Sequence, residues 1–211
     1  MFGRFVSGDR EARVGAAVHV AHAFTVHEQA SEPDYFTAVD DLPDEDQGAG
    51  AGHLNTAELT SGVYYGYVVV DAPLLVSNLE GCDRKSWEQA DRTLAARAVE
   101  HLLHLIAKVT PGAKLGSTAP YTYASLVLVE AGDEQPRTLA NAFLDPVRGS
   151  PLDARAAAAL VRHLEAIDGM YGASGRRWLA TRHDGIAVSG AEAVSFPELV
   201  RQVGAALRAD A

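Results

Sequence analysis

The chain has 211 residues, 47% hydrophobic and 22% charged, with a formal net charge of −10, the profile of a globular protein that buries a sizeable core in one domain. No apolar run approaches the roughly 20 residues that span a bilayer, and the N-terminus lacks an apolar segment with a small-residue cleavage site, so a cytoplasmic location without membrane contact is expected. The single cysteine, Cys82, excludes an internal disulfide and a CxxC metal or redox pair.

Taken alone, the negative charge argues against a nucleic-acid partner, because phosphate binding relies on Lys and Arg. The charge is unevenly spread, however. Residues 28–46 carry eight acids (Glu28, Glu32, Asp34, Asp40, Asp41, Asp44, Glu45, Asp46) and no Lys or Arg, whereas from Arg137 onward nine Arg stand against eight acids. One acidic loop therefore supplies most of the deficit, and the bulk value says little about any local patch.

In chain order, residues 18–26 alternate apolar and polar side chains and predict a strand with one greasier face. After the acidic, glycine-rich loop, residues 62–71 (GVYYGYVVVD) are aromatic and β-branched on both faces, which predicts a central strand covered on each side. Ser86 with Gln89 resembles a capping box, and Trp87, Ala90, Leu94, Ala98, Leu102, Leu105 and Val109 repeat at helical spacing up to Pro111-Gly112. Further elements are a strand over 121–131, a helix over 152–171, a short strand over 178–181, and a last helix from Pro197 capped by Ser195 with Glu198. Strands alternating with helices that pack on one side give a small α+β sheet domain of ferredoxin-like type.

Motifs for chemistry are sparse. His19, His22 and His27 are close in sequence, but on one strand His22 faces away from the other two, so ordinary hydrogen-bonded histidines are the simpler reading than a metal site. Asp44 and Asp46 resemble the start of a calcium loop without its later ligands, and Gly48, Gly50 and Gly52 lack the strand, helix and Lys of a phosphate cradle. No GxSxG elbow is present, and no cofactor is expected.

The run GAAVHVAHAFTVHE, then DYFTAVDDL, GAGHLNTAELTSGVYYGYVVV, PGAK at 111–114 and LANAF at 139–143 resembles the backbone subunit of type I-E Cascade, the CRISPR interference complex, in the CasC branch of the RAMP superfamily. The resemblance implies an α+β fold: an RRM-like (ferredoxin-like) RAMP palm spanning residues 1–211 as a single domain, with a β-hairpin thumb inserted at about 28–61. Relative to the family pattern, the first palm strand, a basic Ser-rich segment and the helical fingers are absent, so an exposed sheet edge is expected. The implied function is a non-catalytic scaffold in antiviral defence. Several copies would stack along CRISPR guide RNA with other Cascade subunits, bind it without regard to sequence, and present it for target DNA.

Bases offer apolar faces, so a wedge indifferent to sequence needs apolar or aromatic side chains, each stack being worth about 1–3 kcal/mol. Tyr35 and Phe36, with His53 and Leu54 on the returning arm, stand where the family has its intercalating thumb residues, and Phe5 where it has another base contact. The alternative for Tyr35 and Phe36 is cover for a core edge. Arg4 and Lys114 are the expected phosphate contacts, although a Lys after a Pro-Gly turn also suits plain solvated surface. Arg176 and Arg177, adjacent in an expected glycine-flanked loop, offer a basic pair to RNA or a neighbouring subunit, or merely a solvated surface. The competing functional class is a metal-dependent endoribonuclease using Asp40 and Asp41 beside His22 or His27. Adjacent acids on a strand point to opposite faces and do not naturally form one metal site.

Overall fold

The computed structural model of the chain describes residues 1–5, 7–8, 13–28, 31–38, 53–110, 119, 121–173 and 175–209, with 31–38 and 53–60 described by backbone alone. In its first third, β1 (Val18–Val20), β2 (Phe24–Thr25) and β3 (Ser31–Ala38) pair antiparallel with β6 (Val68–Val70), β5 (Tyr64–Tyr65) and β4 (His53–Thr60) respectively. These three ladders are successive lengths of one interrupted hairpin. Val18 faces Val70 and Phe24 faces Tyr65, six residues on one arm against five on the other. Thr25 faces Tyr64 and Ser31 faces Thr60, again six, but now against four. The first arm thus carries one surplus residue and then two, the arrangement of bulges, which bend a ribbon and break its ladder.

The surplus residues explain two differences from the sequence reading. The strand expected over 18–26 is two pieces with His22 between them, so the argument from alternation does not apply to that histidine. The strand expected over 62–71 divides at Gly66 and Tyr67, and it is not covered on both faces, since Tyr64 is exposed. Within residues 28–61, where a β-hairpin was expected, the eight-residue strands β3 and β4 pair antiparallel.

The main sheet is three-stranded: β7 (Leu126–Ala131) pairs antiparallel with β8 (Arg176–Thr181), which pairs parallel with β9 (Ala191–Ala193). Strand alternation divides its side chains between two cores. Trp178 and Ala180 of β8, with Val127 and Val129 of β7, pack against Leu75, Val76, Ala95, Val99, Leu199, Val200 and Val203. These come from α1 (Ala72–Glu80), α2 (Thr93–Lys108) and α4 (Phe196–Arg208). On the other face Leu179, Leu126 and Leu128 meet Leu160, Val161 and Leu164 of α3 (Leu152–Tyr171). Helices therefore cover both faces rather than one, and each large apolar side chain buried this way contributes about 1.5–3 kcal/mol.

Local chemistry sets the helix ends. Asp71 caps α1 by accepting from Leu74 N at 2.9 Å, and Gly81 closes it in the left-handed conformation at φ 67°. The predicted capping box at Ser86 is not formed. Ser86 lies inside a 3₁₀ helix (Arg84–Gln89) capped by Asp83, and α2 begins only at Thr93. Ser195 stands at the N-cap of α4 without a side-chain cap bond, and the Glu198 carboxylate that would supply the other half of a capping box is engaged by Arg201 and, at 2.8 Å, by Gln202 Nε2. No helix among the described residues is long and apolar enough to cross a membrane.

Candidate nucleic-acid interface

The bulged hairpin carries four of the expected contact residues on its outer length, and its root is held by the segment 139–148. Phe143, in the 3₁₀ turn Ala140–Phe143, stacks against Phe24 and Tyr65 with ring centroids 6.4 and 5.6 Å away. The Tyr65 hydroxyl accepts from Leu139 N at 2.9 Å. One step outward, Val26 is buried, Val147 N donates to Val26 O at 2.9 Å, and His27 bridges Val147. Glu28 then pairs with Arg148, whose hydrogen bonds hold the Glu28 carboxyl below the usual carboxylate range. The LANAF motif singled out in the sequence is thus part of a cradle that fixes where the ribbon leaves the body.

His27 and Gly62 lock the two arms at that root. His27 Nδ1 donates to Glu28 O at 2.6 Å, and a Cβ at Gly62 would fall 2.1 Å from His27 Nε2. Only glycine leaves room for the ring.

Beyond the root, the register Phe36↔Asn55, Thr37↔Leu54 and Ala38↔His53 brings all four candidate positions to the same few ångströms of ribbon. Pleat alternation assigns positions 35 and 54 to one face and 36 and 53 to the other. The natural same-face pairs are therefore Tyr35 with Leu54 and Phe36 with His53.

Arg4 and Phe5 sit on the first strand-like stretch. Arg4 N donates to Val14 O at 2.8 Å and Val14 N to Arg4 O at 2.9 Å, while Met1 O accepts from Ala17 N and Val18 N. Phe5 is 76% exposed, with the Arg13 guanidinium 4.7 Å over its ring. An exposed aromatic with a cation stacked on it can offer a π-face to a base and charge to a phosphate. Arg13 was missed by sequence reasoning, since its place beside Phe5 is set by the Arg4–Val14 bridge. Lys114 lies outside the described residues, as do Asp40 and Asp41 of the nuclease alternative. Among the described residues, no group of three His, Cys, Asp or Glu is placed to hold a metal ion.

The structure corrects the reading of Arg176 and Arg177. They belong to β8, not to a loop, and their side chains take opposite faces. The Arg177 side chain is 1% exposed and grips Asp168 with two hydrogen bonds, 2.5 and 2.8 Å, and Glu130 with one of 2.7 Å. Arg137 bonds the same two acids at 2.7 and 3.1 Å. Two guanidiniums thus neutralise two carboxylates, and the Arg177 hydrogen bonds hold the Asp168 carboxyl below its ordinary range against the opposing effect of burial. Arg177 is a structural residue. Arg176 lies 4.8 Å over the Trp178 ring and 3.4 Å from Glu192.

A family model described as CT1975-like protein, of the Cas group, matches residues 1–202. A solved structure titled "CRISPR RNA-guided surveillance complex, pre-nicking" is similar over 98% of this chain, at 30% identity and a TM-score of 0.82. Another, titled "CRISPR RNA-guided surveillance complex", is similar over 97% of the chain, at 32% identity and a TM-score of 0.77. The chain spans 54% of the first matched protein and 76% of the second. No curated protein matches it.

Proposed function

The chain belongs to the CT1975-like Cas family, and on that premise we propose that it is the guide-RNA-binding backbone subunit of a type I-E Cascade, in the CasC branch of the RAMP superfamily. The observation that carries this reading is the likeness, over nearly the whole chain and at 30–32% identity, to components of complexes whose titles name RNA guidance. In this reading residues 1–211 are one RRM-like palm, and the outer ribbon is its thumb.

The subunit acts as a scaffold without a catalytic step of its own. Guide RNA lies along several copies, and Arg4 and Lys114 contact phosphates. Phe5, Tyr35, Phe36, His53 and Leu54 supply the apolar faces that part neighbouring bases, so that segments of guide are presented to target DNA. The cradle at 139–148 supports the mechanics: a wedge that opens a stack, at a few kcal/mol per step, needs a base that does not yield. The Phe24–Tyr65–Phe143 cluster and the His27–Val147 bridge supply such a base.

The test is a titration of the chain with poly-U and with a mixed-sequence single strand at low and high salt, followed by incubation with magnesium or manganese with and without chelator. Binding of both strands, weakened by salt, with the RNA intact is the expected result. Strong preference for one sequence, or cleavage suppressed by chelator, overturns the reading.

A further inference from the structure

The solvent face of α2 is cationic, and its C-terminal end borders two exposed tyrosines. Arg97, His101, His104 and Lys108 follow one another at spacings of four, three and four, which places them along one side of the helix. Arg97, His101 and Lys108 are exposed, and none of them makes an ion pair among the described residues. Glu100, the one acid of α2, is engaged by Arg208 at 2.8 Å. Residues 121–124 lie against the helix end. Ala124 N donates to Ala107 O at 2.8 Å, and the Thr110 hydroxyl donates to Thr122 O at 3.1 Å. That pairing holds Tyr121 and Tyr123 beside the last turn, 73% and 71% exposed. Lys108 Nζ stands 5.9 Å from the centre of the Tyr123 ring and 5.2 Å from that of Phe196.

We infer that this surface binds single-stranded RNA, with phosphates on Arg97, His101 and Lys108 and base faces on Tyr121 and Tyr123. Two observations meet there. The cations lack counter-charges in a chain of net charge −10, which suits a polyanion. The rings stand in water where folding alone would bury them, and open aromatic faces beside positive charge are what a strand of alternating phosphates and bases requires. An acidic peptide would answer the charges and leave the rings uncovered. Dimensions agree as well. Arg97 and Lys108 are eleven residues apart, about 16 Å along a helix, the rise of about five stacked nucleotides. The inference rests on the reading of the chain as an RNA-binding protein, and it adds a contact surface built from elements other than the ribbon and the Phe5 stretch.

The experiment titrates the full chain and its variants with poly-U at several salt concentrations, with photocrosslinks mapped in parallel and with poly-dT and polyglutamate as competitors. Arg97→Glu with Lys108→Glu is expected to lower poly-U affinity about tenfold or more, and to reduce the slope of log affinity against log salt by about one and a half units, the share of two phosphates on a single strand. Lys108→Glu alone costs more affinity than Arg162→Glu, an equal charge change at an exposed position of α3. Tyr121→Ala with Tyr123→Ala lowers affinity about fivefold or more at unchanged slope, whereas Tyr121→Phe with Tyr123→Phe retains it, a contrast that misfolding does not produce. Adducts at Tyr121 or Tyr123 persist in the ribbon variant Tyr35→Ala with Leu54→Ala. Affinity equal in the Lys108→Glu and Arg162→Glu variants, or no adduct at either tyrosine, overturns the inference, and adducts on the ribbon then leave the functional reading standing. Adducts at the tyrosines with none on the ribbon uphold the inference and overturn that reading instead. Poly-dT held more tightly than poly-U through Arg97 and Lys108 would make this a DNA surface, and polyglutamate held there with poly-U affinity unchanged by the reversals would make it a surface for an acidic protein. Either result also overturns the inference.

Discussion

Arg177 and Asp168 meet in a two-pronged ion pair beneath the main sheet, with the guanidinium almost wholly shielded from water. A buried pair does not by itself add much stability, but removing one partner strands the other. Arg177→Met is expected to destabilise the fold by about 3 kcal/mol, at the low end for breaking a buried pair, because Arg137 still contacts both carboxylates. Chemical denaturation checks this. An RNA-contacting role would instead leave stability intact and lower RNA affinity.

The same carboxylate sets an acid limb. Asp168 titrates below the ordinary value in the folded chain because Arg177 and Arg137 hydrogen-bond its charged form. A lowered folded pKa gives stability that is complete above the unfolded value of about 3.9 and is lost as pH falls through the folded one. Urea midpoints are therefore expected to fall as the solution is acidified below about pH 4. Asp168→Asn should be less stable at neutral pH and show a shallower acid limb. Glu28, Asp153 and Glu198 are shifted the same way by Arg148, Arg182 and Arg201 but at the surface. Their part fades with added salt, and the Asp168 part persists.

The ribbon root gives a sharper mutational test. Gly62→Ala forces the His27 ring out of its place, with an expected cost of about 1–3 kcal/mol, as for other overpacking changes. Gly66→Ala, where an added Cβ meets nothing within 4 Å, is the control. Equal stability of the two variants would refute the lock.

How legible this molecule is in its sequence depends on the range of the interaction. The predicted helix 152–171 matches α3 at both ends, because its apolar period is unbroken. Helix α1 passed unread. Its Asp71, Pro73 and Gly81 signals are all present, but they follow VVVD directly, and nine residues carry too short a helical period to stand out. The break between the 3₁₀ turn and α2 fell within an apolar rhythm that continues across it. The strand β9, three residues long, carries too little pattern to notice. In the candidate site, the aromatic and apolar types at 35, 36 and 54 were visible and their order along two arms was inferable. Their division between faces was not, since it depends on surplus residues that only the paired register reveals. The pairing of Glu28 with Arg148 joins positions 120 residues apart and leaves no local trace. Arg177 has the appearance of a surface charge until strand alternation turns it inward.

Phosphate and base contacts separate by salt. Arg4→Glu is expected to lower RNA affinity and reduce the slope of log affinity against log salt by about one unit. Tyr35→Ala with Leu54→Ala, and Phe36→Ala with His53→Ala, each remove one face of the ribbon and should lower affinity modestly at unchanged slope. Slopes from titrations at several salt concentrations decide between the two kinds of contact.

The most direct test of the thumb assignment is photocrosslinking of single-stranded RNA to the chain, with the adducts mapped by peptide mass spectrometry. Adducts are expected at Phe5 and in peptides covering 35–36 and 53–54, alike for guides of unrelated sequence. Saturable RNA binding with adducts confined to other surfaces, and none on either arm of the ribbon, would contradict the account.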